Sequence, residues 1–170
     1  MTHGSLNSST IWPIFLKHFE SKHLTSQTLY ILLFHISTIL LVSENDEVEK
    51  SIYPFFVKCL ACNHLKIQKL AFARLGLIID RIKNEDNKKQ LLVRLVGMIK
   101  TSKSELLLLN LSFINANFDK LDQEILKKQM VTELNEFLKS GREEGSRVSD
   151  LVFHLIQKTY KLEEPENEVS

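Results

Sequence analysis

The chain has 170 residues, of which 44% are hydrophobic and 25% charged, and its mean hydropathy is −0.08. These values are typical of a soluble globular domain with room for one core or one short stack of repeats. Only five glycines and three prolines are present, too few for the turns of an all-β fold, so helices are favoured. The net charge of +1 by itself indicates no class of partner.

The charge is unevenly distributed along the chain. Residues 57–103 contain eleven Lys or Arg and three Asp or Glu, whereas residues 1–56 and 104–170 are net acidic. A basic middle suits an acidic protein or a nucleic-acid backbone, and a solvated basic face is the alternative interpretation. Phe72 is the only aromatic residue in this segment, so basic and aromatic residues do not alternate, and protein is favoured over nucleic acid.

Three features bear on the cellular compartment. The apolar run 28–42 has 15 residues, fewer than the roughly 20 that a membrane-spanning helix needs, so it predicts a buried helix. The first ten residues lack the basic start and apolar run of a signal peptide. Two cysteines make no disulfide framework. Together these features predict an intracellular protein, in cytoplasm or nucleus, without a membrane span.

In chain order, apolar spacing and polar breaks predict one helix after another. The predicted helices cover about 10–21, 25–42, 46–61, 65–82, 87–100, 104–120, 122–139 and 147–161. Pro54 either lies in the first turn of its helix or kinks a longer one. The predicted organisation is a flexible N-terminus (1–9), a helical domain (10–161) with hairpins at 10–42, 46–82, 87–120 and 122–161, and an acidic disordered tail (162–170).

The hairpins repeat one another. Residues 11–19 read IWPIFLKHF and residues 52–60 read IYPFFVKCL, 41 positions later, and the third and fourth hairpins follow at spacings of 39. A period near 40 that carries two helices is typical of HEAT repeats. One hairpin cannot bury both of its apolar faces, so similar hairpins stack and cover each other.

One stretch carries a family resemblance. Residues 67–78, IQKLAFARLGLI, resemble the second helix of HEAT repeats through Ile67, Ala71, Leu75 and Gly76. Pro13 and Pro54 resemble the proline in the first helix of such repeats. The resemblance implies an all-α fold, a right-handed α-solenoid of about four HEAT-like hairpins. Armadillo-like and adaptin-like repeats remain alternatives.

No motif indicates catalysis. The chain has no His-Glu-x-x-His motif, Gly-rich phosphate loop or nucleophile elbow. Cys59 and Cys62 form a Cys-x-x-Cys pair, but they close a helix, where the dipole raises rather than lowers a thiol pKa. A zinc site needs four ligands, and only His18, His23 and His64 could supplement the pair. We therefore expect no enzyme, metal or cofactor.

The solenoid interpretation places the second helix of each hairpin on the concave side. Residues expected there, as contacts for a partner, are Lys66, Lys69, Arg74, Arg81, Asn110, Asn117, Arg147 and His154. Helix 25–42 is apolar nearly all round, and Tyr30 and Phe34 are expected to form a second, apolar contact surface. The hypothesis is that this end packs on further repeats, a second copy or a partner.

The predicted function is therefore a non-enzymatic, protein-binding scaffold or adaptor that presents a basic groove and an apolar N-terminal surface. The alternative is a nucleic-acid-associated helical repeat protein that uses its basic central segment on phosphates.

Overall fold

The computed structural model describes Pro13, residues 17–19, Ser21 and residues 24–164. Helices and turns make up these residues and no strand occurs among them, so the predicted all-α class is confirmed. The predicted flexible segment 1–9, most of the predicted helix 10–21 and the end of the predicted tail, 165–170, lie outside the described residues.

The chain divides into two compact units, residues 1–85 and 86–170. The division falls in the charged turn between the second and third predicted hairpins. Each unit therefore spans the residues of two of the four predicted hairpins.

The helices match the sequence prediction to within a few residues. They are α1 Ser26–Phe34, α2 Ile36–Val42, α3 45–61, α4 Leu65–Ile79, α5 Glu85–Gly97, α6 Ser104–Ala116, α7 123–139 and α8 Ser146–Glu163. The predicted helix 25–42 is interrupted at His35, whose backbone leaves the helical region at φ −94° and ψ 9°. A short 3₁₀ turn, Phe118–Lys120, follows α6.

Helix α3 settles the position of Pro54. The helix begins at Asn45, where the Glu47 carboxylate accepts a 2.7 Å hydrogen bond from the backbone N–H of Glu44. It then widens into a π-helical turn, Val48–Ile52, immediately before Pro54. Proline has no N–H and its ring crowds the carbonyl of the preceding turn, and a π turn relieves this crowding. Pro54 therefore lies inside a longer helix, the second of the two predicted alternatives.

The core of the first unit lies where α1, α2 and α3 pack on α4. Its side chains follow the helical period and are almost fully buried: Leu33, Ile36, Ile39, Phe55, Phe56, Ile67, Leu75 and Ile78. Burying one such side chain contributes about 1.5–3 kcal/mol. In the second unit, α6 and α7 pack on α8, around the buried side chains Leu107, Leu111, Ile114, Leu126, Met130, Leu134, Val152 and Leu155.

One arginine joins successive turns in the first unit. Arg81, just after α4, donates 2.7 Å hydrogen bonds to the backbone carbonyls of Leu40 and Ser43 and a 3.0 Å bond to Oδ1 of Asn45. Its guanidinium thus helps to satisfy carbonyls at the C-terminal end of α2, where the Leu40 carbonyl also accepts a 3.4 Å hydrogen bond from the backbone N–H of Ser43. Glu49 assists nearby, because its Oε1 accepts from the backbone N–H groups of Lys83 and Asn84.

A second arginine has the same role in the second unit. Arg142 donates to the backbone carbonyls of Lys100 (3.2 Å) and Ser102 (2.8 Å) and to the Glu144 carboxylate (2.6 Å). The Ser104 hydroxyl and then Arg142 hold the pKa of Glu144 below its usual range. Both arginines therefore reach back about 40 residues, to carbonyls at the end of an earlier helix or in the turn that follows it.

Replacing Arg81 should destabilise the chain. Arg81→Ala removes three charge-assisted hydrogen bonds and should lower the free energy of unfolding by about 2 kcal/mol. Arg81→Lys should recover only part of this, because an ammonium cannot serve three acceptors in a planar fork. Urea unfolding followed by circular dichroism measures both. Lys58→Ala, at an exposed position, is the control and should change stability by less than about 0.5 kcal/mol. Equal stability of Arg81→Ala and the unchanged protein would contradict this role.

Candidate functional site

In the first unit, α1–α2 and α4 run side by side in the same direction. Ser26 and Gln27, at the start of α1, line a cavity of about 490 Å³ together with His64 and Lys66, at the start of α4. At the other end, Arg81 follows α4 and bonds the end of α2. The N-terminal ends of α1 and α4 therefore lie together, and so do the C-terminal ends of α2 and α4, which means that α1–α2 and α4 are parallel.

The side of α1–α2 that faces solvent is apolar. Tyr30 is 42% exposed, Phe34 52% and Leu41 85%. Their spacing of 4 and 7 residues places them in one line along the helices. The rings of Tyr30 and Phe34 stack with centroids 6.4 Å apart. Both residues predicted for an apolar contact surface therefore lie on the surface and next to each other.

The exposed side of α4 carries mostly small or basic residues. Lys66, Lys69, Ala73, Gly76 and Leu77 recur at helical spacing and are all exposed. Since Tyr30 and Lys66 line the same cavity and the helices are parallel, the two exposed lines border one surface. We call this surface the apolar–basic face, formed by Tyr30, Phe34, Leu41, Lys66, Lys69, Ala73, Gly76 and Leu77.

The helices that form the apolar–basic face carry only positive side-chain charge. Helices α1, α2 and α4 contain no Asp or Glu, and all of their charged side chains are basic. The N-terminal ends of α1 and α4 both lie at the cavity next to Lys66, and each end adds a partial positive charge. The first turn of α4 contains no acidic side chain to offset it. Negative groups are therefore attracted to this end of the face.

The other two predicted arginines of the first unit are less accessible. Arg74 is half-buried, and its Nε is buried without a hydrogen-bond partner among the described residues. Arg81 is occupied by Leu40, Ser43 and Asn45. Its guanidinium therefore joins turns within the unit, and a partner contact at Arg81 stays a prediction.

The remaining predicted contact residues belong to the second unit. Arg147 and His154 are exposed on α8. Asn117 is half-buried and donates a 2.9 Å hydrogen bond to the Phe113 carbonyl. Asn110 is fully buried and donates 2.7 Å to the Leu95 carbonyl at the end of α5. A partner cannot reach Asn110 in this structure, so the expectation of a contact there is corrected to a structural role.

The second unit repeats one detail of the first. A cavity of about 380 Å³ lies at the starts of α6 and α8 and is lined by Ser104, Glu105, Ser146 and Arg147 among others. Arg147 is the second residue of α8, as Lys66 is the second residue of α4. Here, however, Glu105 lines the same cavity, so its charge is mixed.

The surroundings of the Cys-x-x-Cys pair disfavour the thiolate form of both cysteines. Burial raises the pKa of the Cys59 thiol to about 12, and burial also raises the pKa of Cys62. The thiol of Cys62 donates to the Cys59 carbonyl at 3.0 Å. Thiolates are the reactive form, so neither side chain is activated. Among the described residues, no three His, Cys, Asp or Glu side chains are grouped so as to hold a metal ion.

Within the described part of the chain, no helix is both long and apolar enough to cross a bilayer.

The chain matches no protein-family model, no curated protein and no solved structure. The HEAT resemblance therefore stays a prediction drawn from the residues themselves.

Sequence reasoning missed part of the apolar–basic face. Leu41, Ala73 and Leu77 are exposed on it, although Leu41 and Leu77 are apolar residues in helices with strongly buried neighbours. Their spacing could have identified them. Leu41 follows Phe34 by seven positions, Ala73 follows Lys66 by seven, and Leu77 follows Ala73 by four, and residues at these spacings share one side of a helix.

The two cysteines should differ in reactivity towards a thiol-alkylating reagent. In the folded protein Cys62, which is partly exposed, should be labelled first, and fully buried Cys59 only after unfolding. Because the pKa of Cys62 is raised above its ordinary 9.0, labelling should still accelerate as the pH passes 9.0. Mass spectrometry counts the labels, and folded Cys62→Ser should stay unlabelled. Simultaneous labelling of both thiols would contradict the burial of Cys59.

Proposed function

We propose that this protein is a non-enzymatic scaffold or adaptor that binds another protein through the apolar–basic face of its first unit. The observation that carries the proposal is the exposure of the apolar side chains Tyr30, Phe34 and Leu41, each between 42% and 85%. A contiguous exposed apolar surface is costly in water and marks an interaction site. Exposed aromatic side chains are also the residues that most often dominate binding energy.

We propose further that the hairpins form a right-handed α-solenoid of HEAT-like repeats. In each unit, the helices predicted to be the second helices of two neighbouring hairpins pack on each other, α1–α2 on α4 and α6 on α8. Arg81 and Arg142 each reach back about one repeat period to the end of an earlier helix. Stacked hairpins need such contacts between neighbours, since a single hairpin cannot cover its own apolar surface.

The compartment we propose is intracellular, cytoplasm or nucleus. Cys59 and Cys62 are free thiols, which fits a reducing environment.

A second candidate function is binding to nucleic acid. The observation in its favour is the basic segment 57–103, with eleven Lys or Arg. Lys66 and Lys69 are exposed and would meet phosphates. The apolar line beside them favours protein, because phosphate contacts gain nothing from Phe34 or Leu41. Affinity for nucleic acid would fall steeply with salt, and an apolar protein contact would not.

Affinity capture from lysate tests both functions. The full chain is the bait, with and without nuclease treatment. A protein partner should survive nuclease and be weakened by about tenfold or more with Tyr30→Ala/Phe34→Ala. The matched control is Phe153→Ala/Tyr160→Ala, the same two residue types, each 56% exposed, in the second unit. Loss of all bound material with nuclease would favour the nucleic-acid function instead. Equal capture by both aromatic double variants would contradict the proposed face.

A further inference from the structure

We infer that the apolar–basic face binds an acidic amphipathic helix of a partner protein. The inference rests on the proposed protein-binding function and specifies the partner's chemistry. The carboxylates of that helix lie at the Lys66–Lys69 end of the face, and its apolar residues lie along Tyr30, Phe34 and Leu41.

The shape of the face fits a helix. The exposed apolar line runs from Tyr30 to Leu41, 11 residues, or about 16 Å of helix. Two parallel helices leave a shallow groove between their exposed lines, and an amphipathic helix fills such a groove with residues spaced by three, four and seven. The described residues of this unit include no strand edge on which an extended peptide could pair.

The charge of the face selects an acidic occupant. No acidic side chain occurs in α1, α2 or α4, while Lys66 and Lys69 are exposed at the end where two helix N-termini meet. The first acidic residues in sequence after α2 and after α4 are Glu44 and Asp80, which follow the ends of these helices opposite Lys66. Carboxylates at the Lys66 end are therefore attracted by the lysines and by both helix dipoles, whereas a basic helix would be repelled.

Gly76 gives independent support for a close contact. Glycine inside a helix destabilises the helix relative to alanine. A Cβ added at Gly76 would meet no atom within 4 Å, so packing inside the protein does not require a glycine there. Gly76 lies on the exposed line with Ala73, and small residues allow the backbone of a docked helix to approach closely.

Peptide selection against the full-length protein tests the inference. The probe is a displayed library of amphipathic helical peptides about 18 residues long, with randomised polar and apolar positions. Selected peptides should carry Asp or Glu beside a line of Leu or aromatic residues. Their affinity should fall about tenfold with Lys66→Glu/Lys69→Glu and also with Tyr30→Ala/Phe34→Ala. Lys50→Glu/Lys58→Glu makes the same charge change at exposed positions on α3 and should alter affinity less than about twofold.

A Gly76→Ala variant separates binding from folding. It should shift the urea unfolding midpoint to a higher concentration, because the new methyl group has open space and alanine favours the helix. The same variant should weaken the selected peptides several-fold. Gly141→Ala is the comparison variant for stability. Because Gly141 has φ +66°, a conformation that alanine rarely adopts, this variant should lower the free energy of unfolding. Unchanged peptide affinity in a stabilised Gly76→Ala would overturn the close approach.

Other outcomes overturn the inference in distinguishable ways. Selected peptides that are neutral or basic but still need Tyr30 and Phe34 would refute the acidic helix and keep the protein-binding function. A dimer in sedimentation that dissociates with Tyr30→Ala/Phe34→Ala would assign the face to a second copy of this chain. If no peptide is enriched, the inference falls, and the capture experiment then decides separately whether the proposed function survives.

Discussion

The parallel packing of α1–α2 on α4 is the contact on which the rest of the first unit depends. It buries one side of each helix, including Leu33, Ile36 and Ile39, and it brings both helix starts to one cavity. The same packing leaves the opposite sides of the helices in solvent. The apolar–basic face is therefore a consequence of how the core is built.

Arg81 and Arg142 show how much of the charge in this chain serves folding. Each guanidinium satisfies backbone carbonyls at the end of a helix about 40 residues earlier. Arginine suits this position because its planar group presents several donors at once. In the sequence, such an arginine is only a basic residue near a turn. Its positive charge then suggests a contact with a partner, although in the structure its guanidinium bonds carbonyls of the same chain.

In the proposed function, the apolar–basic face combines two kinds of selectivity. Its exposed aromatic and aliphatic side chains would supply affinity when a partner buries them, and its basic charge would disfavour basic partners. The second unit differs in this respect, because Glu105 lies beside Arg147 at the equivalent cavity. The two units therefore share a construction but differ in the chemistry that they present.

The sequence by itself determined where the helices are. Apolar residues every three to four positions and the polar turns between them are local signals, so the bounds of α3 to α8 could be predicted to within a few residues. The exposure of Tyr30 and Phe34 was also predictable, because a helix that is apolar nearly all round has more apolar surface than one core can cover. Only the tertiary structure decided which polar residues are buried or hydrogen-bonded within the protein and which stay exposed. Arg81 and Asn110 have partners 15 to 41 residues away, and local spacing carries no information about which distant carbonyl comes within hydrogen-bond reach. The position of Pro54 depended on the tertiary fold in the same way, because a π turn is stable only where the packed helix tolerates it.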